Sequence, residues 1–131
     1  MKYCVTAVVV VALFSSVSRS DDLAAATRLL NKDTPRRTRE ELAEKVFFSC
    51  YARIRDGKRS DVVALFDKLM ILLDDKDGLV VFWVTKCMAA LGKDGKRALP
   101  KLEKLRSVWP RVSGEPARSG IEFAIEQIAA Q

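Results

Sequence analysis

The tetrapeptide Asp-Gly-Lys-Arg stands at residues 56–59 and again at residues 94–97. The flanks correspond as well. At an offset of 37 or 38 positions, Cys50 falls on Cys87, Ala52 on Ala89, Ile54 on Leu91, Val62 on Leu99 and Leu65 on Leu102. A second shift of 38 puts Trp83, Cys87 and Ala90 onto Ile121, Ile125 and Ile128. A period near 40 residues, with two helices per unit, is the pattern of stacked helical repeats, each of which covers its apolar face with its neighbour. The tetrapeptide then reads as the link between units rather than as a repeated binding loop.

Helical signals follow one another with short breaks, and no segment alternates like a half-buried strand. Leu23 to Leu30 forms a short first helix. Thr34 as cap and Pro35 as first helical residue open a second that runs to Arg55, with Leu42, Val46, Cys50 and Ile54 on one face and Ala43 and Phe47 widening the stripe. After Gly57, Ser60 or Asp61 caps a third helix, Val62 to Leu73, whose apolar run only Asp67 and Lys68 interrupt. Asp74 to Gly78 turns the chain into a fourth helix, Leu79 to Leu91, interrupted only by Thr85 and Lys86 and stopped by Gly92. The fifth begins near Ala98, carries Leu99, Leu102, Leu105 and Val108, and closes at Trp109-Pro110. The last starts at Glu115 and shows Ile121, Ala124, Ile125 and Ile128 on one side. The stretch Leu79–Val84 (LVVFWV) is also compatible with a buried strand, but it continues through TKCMAALG and has no partner strand, so helix is preferred.

The middle two helices are apolar nearly all round while the outer ones are one-faced. Burial of the middle elements on more than one side follows. The fold class expected is all-α: a short right-handed α-solenoid of about three antiparallel helix pairs, residues 22–55, 61–91 and 98–130.

Residues 65–102, LFDKLMILLDDKDGLVVFWVTKCMAALGKDGKRALPKL, resemble a HEAT repeat, one of the armadillo-like solenoids. Asp74 and Asp77 match the family's acidic turn, Ala90-Leu91-Gly92 the end of its second helix, and Ala98, Pro100 and Leu102 the start of the next unit. Val84 stands where the family often has arginine. The resemblance implies that the second helix of each pair lines a concave inner face, and that the domain presents a surface and does no chemistry.

The first 20 residues read as a separate segment. Lys2 precedes the uncharged run Val5–Phe14, and small residues lead to Ser18-Arg19-Ser20, the layout of a secretory signal peptide. The run is about half the length of a membrane span. The expected organisation is therefore a signal peptide, 1–20, followed by a single helical domain, 21–131, exported to the bacterial periplasm, with no stable membrane span. The chain carries a net charge of +6; loss of Lys2 and Arg19 with the leader leaves 21 basic against 17 acidic residues, net +4. For an exported chain that modest excess suits an acidic partner surface better than nucleic acid.

Histidine is absent from the whole chain. That removes Ser-His-Asp and Cys-His catalysis and the commonest zinc ligand sets, so no enzyme activity, metal or cofactor is expected. Asp74, Asp75 and Asp77 lack the further ligands of a calcium loop and read as helix caps. Cys50 and Cys87 hold equivalent places on neighbouring second helices. Helix axes lie about 8–10 Å apart and a disulfide needs α-carbons within about 7 Å, so buried free thiols are preferred and a bridge is the alternative.

If Val46, Cys50 and Ile54 are buried, Phe48 and Ser49 occupy another face, with Thr85 and Lys86 and then Phe123 in the equivalent places of the next units. Phe48 and Phe123 are read as anchors for a partner, with edge packing or a homodimer as alternatives. Arg53, Arg55 and Lys86 would steer association. By size, leader and fold the chain resembles the periplasmic immunity proteins that neutralise type VI peptidoglycan amidase effectors. That resemblance implies steric blockade of a toxic hydrolase. A periplasmic adaptor bridging envelope proteins is the alternative.

Overall fold

A computed structural model describes residues 28, 29, 31, 33–110 and 115–131. The expected leader, 1–20, and all of the first helix except Arg28 and Leu29 lie outside the described residues; those two are helical and Leu29 is buried. Every regular element among the described residues is helical: α1 (Arg36–Arg55), α2 (Arg59–Val63), α3 (Phe66–Leu72), α4 (Gly78–Leu91), a 3-10 segment (Gly92–Ala98), α5 (Leu99–Val108) and α6 (Pro116–Ala129). The stretch Leu79–Val84 lies in α4, so the strand alternative is gone.

α4 is the centre of the molecule. It packs along α6 on one side and along α1 on the other, while α3 and the 3-10 segment also touch it. No residue of α4 is exposed, as its nearly continuous apolar run requires. Val80, Val81, Val84, Cys87, Met88 and Leu91 join the core with Val46 and Cys50 from α1, Leu69, Leu72 and Leu73 from around α3, and Ile121, Ala124 and Ile128 from α6. α4 and α6 approach closely at Gly120, where a β-carbon would lie 2.5 Å from Thr85 Oγ1 and 3.2 Å from the Phe82 α-carbon.

The acidic turn before α4 is a structural clasp. Asp77 Oδ1 accepts a hydrogen bond from the Leu79 N–H at 3.1 Å, and Asp75 Oδ1 accepts one from the Asp77 N–H at 2.9 Å. Arg39 of α1 pairs with Asp75, and Arg36 lies 3.3 Å from Asp77. Lys101 of α5 donates to Asp74 at 2.8 Å and to the Met70 carbonyl at 2.6 Å. The capping role read from sequence thus stands, and the same carboxylates tie the turn to helices on either side.

The repeated links are joined to one another. Arg59, the last residue of the first link, donates to the Leu91 carbonyl at 2.5 Å and to Asp94 of the second link at 3.2 Å. Arg97, its counterpart, stacks 4.4 Å from the centre of the Phe66 ring. Gly57 and Gly92 both take positive φ, 81° and 58°, at the ends of α1 and α4.

Several boundaries differ from the sequence reading. Pro35 is the cap of α1 rather than its first residue, and the Thr34 hydroxyl donates to the Arg28 carbonyl at 2.9 Å instead of capping the helix. The third helix is divided into α2 and α3, because the Leu65 N–H bonds to the Val62 carbonyl three residues back, a tightened turn that breaks the α-pattern. α2 starts at Arg59, so neither Ser60 nor Asp61 caps it. The second link, which the sequence marks only as a break between helices, is itself 3-10 helix. Val108 is 70% exposed. Steps of three residues turn only about 300° around a helix, so the stripe Leu99–Leu102–Leu105 rotates off the core before it reaches Val108.

Candidate interaction surface

Successive turns of α1 bring out Phe47, Phe48 and Tyr51, and successive turns of α4 bring out Phe82, Trp83 and Lys86. These spacings of three and four residues put each set on one helix face. Because α1 and α6 flank α4, the two sets and Phe123 of α6 meet. The Tyr51 ring lies 6.0 Å from Phe47, which is 5.2 Å from Phe48 and 5.4 Å from Trp83. Phe48 and Trp83 are 5.8 Å apart, and Trp83 meets Phe82 edge-on at 5.1 Å. Lys86 then links Phe82 to Phe123, its ammonium 5.3 Å and 4.4 Å from the two ring centres. The result is an unbroken row of six aromatic rings and one cation across three helices.

The row is open to solvent at both ends. Phe48 is 55% exposed, Tyr51 53% and Phe123 40%, while Phe47, Phe82, Trp83 and Lys86 are half-buried. Ring pairs in such edge-on and tilted arrangements hold one another in place, each contributing about 0.5–1.5 kcal/mol beyond simple burial. A surface of this kind is ordered before any partner arrives, which lowers the entropy cost of binding. It is rich in the residue types enriched at the centres of protein interfaces.

Three sequence-identified residues, Phe48, Lys86 and Phe123, are brought together in the row. The others are placed elsewhere. Thr85 is a correction: it is fully buried, and its hydroxyl donates to the Phe82 carbonyl at 2.6 Å against α6. It sits one position off the row, and one helical residue is a rotation of about 100°. Ser49 is half-buried. The Arg53 side chain is only 14% exposed, with its guanidinium 3.8 Å from Asp61, so it braces α1 against α2. Arg55 is exposed beside Asp56 at 3.3 Å. Sequence alignment of the repeats overlooked Tyr51, Phe82 and Trp83. Their signal was the spacing Phe47–Tyr51 and Phe82–Lys86 within each helix.

Cys50 and Cys87 are free, buried thiols. A hydrogen bond to Cys50 and burial both push the Cys87 thiol well above its usual range, which favours the unreactive protonated form. An open groove lined by Asp74, Pro100, Lys101, Lys104, Leu105 and Val108 lies beside α5, and its one carboxylate is held by Lys101. Among the described residues no group of three or more His, Cys, Asp or Glu side chains could hold a metal ion, and no helix is long and apolar enough to cross a membrane. Comparison with protein-family models, with curated proteins and with solved structures finds no match.

Proposed function

We propose that this chain is an exported, non-catalytic protein-binding module, and specifically an immunity or inhibitor protein that covers the active cleft of a toxic peptidoglycan amidase. Its architecture in this reading is a short right-handed HEAT-like solenoid of about three helix pairs. α1, α4 and α6 are the inner helices, and α2 with α3, and then α5, are the outer ones. The aromatic row spanning those three inner helices carries the proposal. An inhibitor of this kind needs a rigid, partly apolar ridge and no reactive group, and the row supplies one. Histidine is absent from the sequence and both described thiols are buried, features that suit a module that binds without reacting.

The test is co-expression of the full chain with envelope amidases directed to the periplasm. The wild-type chain relieves lysis by its cognate amidase. The double variant Phe48→Asp/Phe123→Asp does not, although its helical circular dichroism is unchanged, because each anchor contributes about 2 kcal/mol or more to a complex of this type. Lysis that continues unaltered with the wild-type chain across such amidases contradicts the inhibitor reading.

A further inference from the structure

The row contains one charge and no carboxylate. Lys86 sits between the rings of Phe82 and Phe123, and it forms no ion pair among the described residues. Ring faces attract an ammonium but leave its outward N–H groups without an acceptor. In water those groups are hydrated. Under a docked partner they lose that water, and a desolvated cation with no acceptor opposes binding. A neutral carbonyl can accept such a bond, but only an anion also offsets the charge, so the partner best matched to the row brings an anion to Lys86. A second copy of the row would bring only rings and another lysine.

From this we infer that the surface receives a protein segment in which an aspartate or glutamate is flanked by large apolar side chains: the carboxylate pairs with Lys86, and the apolar neighbours lie on Phe48–Trp83 to one side and on Phe123 to the other. The inference rests on the reading of the row as the docking surface and adds the chemistry of what docks. The positive balance of the exported chain, 21 basic against 17 acidic residues or +4, favours approach of such an acidic segment before contact is made.

A phage-displayed library of random dodecapeptides, selected on the purified full chain, tests it. Peptides recovered on the wild type carry Asp or Glu beside Trp, Phe or Leu. A synthetic peptide of that consensus binds the Lys86→Arg protein within about threefold of wild type and the Lys86→Glu protein at least about tenfold more weakly, an effect that shrinks in high salt. Selection on Lys86→Glu itself recovers peptides with Lys or Arg in place of the acid. Recovery of the same peptides on both proteins, or of no peptide at all, overturns the inference. Acid-free apolar peptides that bind wild type and are lost on Phe48→Asp also overturn it, while leaving the row standing as a docking surface. Peptides indifferent to Phe48→Asp and Phe123→Asp remove both.

Discussion

Replacement of Gly120 by leucine is expected to lower the stability of the domain by about 3 kcal/mol, the upper end of the usual cost of overpacking. At an exposed helical glycine, a larger residue would add about 1 kcal/mol of helix propensity. Here the sign reverses. The first added carbon already meets Thr85 Oγ1 at 2.5 Å, the Phe82 ring at 3.0 Å and the Phe82 α-carbon at 3.2 Å. The hydroxyl can rotate, at the loss of its bond to the Phe82 carbonyl, but the backbone of α4 cannot move without parting from α1 as well. Thermal unfolding should report the change as a fall in Tm of roughly 12 °C or more for a domain of this size. An unchanged or raised Tm would mean that α4 and α6 are not in contact at this point.

Val81→Asp is expected to abolish folding. Val81 is wholly buried in α4, and an aspartate there either carries an unpaired charge into the core or takes up a proton at comparable expense. The loss, about 5 kcal/mol, matches the lower range of total stability for a small domain. The same charge placed at Lys86, on the row side of the same helix, leaves the fold intact. Far-UV circular dichroism of the two variants separates these outcomes. A helical spectrum with cooperative melting for Val81→Asp would show that α4 is not enclosed as described.

The enclosure of α4 was readable from Leu79–Leu91, because an apolar run broken only by Thr85 and Lys86 leaves almost no face for water. The stripes of α1 and α6 were equally plain in Leu42, Val46 and Cys50 and in Ile121, Ala124 and Ile128. The break at Ala64-Leu65 was not readable: neither residue is a glycine or proline, and only the tightened bond from Leu65 to Val62 reveals it. The 3-10 form of the second link was hidden for a related reason, since Asp-Gly-Lys-Arg signals a turn whether or not the turn is helical. Of the candidate surface, Phe48, Lys86 and Phe123 came from lining up the repeats. Trp83 did not, because Phe48 meets a residue two positions before its aligned counterpart, Thr85. Thr85 itself was misplaced by a single rotation about α4.

Helices drawn from three separate stretches of the chain assemble one aromatic face, and the proposed function makes that face the place where a protein partner docks. Titration calorimetry with an amidase whose lysis the chain relieves on co-expression tests that proposal most directly, comparing wild type, Phe48→Asp/Phe123→Asp and Val108→Asp, the last an exposed apolar position in the groove beside α5. The expected result is affinity reduced by about thirtyfold or more in the double variant and unchanged in Val108→Asp. Retained affinity in the double variant, with loss in Val108→Asp, would put the docking surface at the groove and contradict the account.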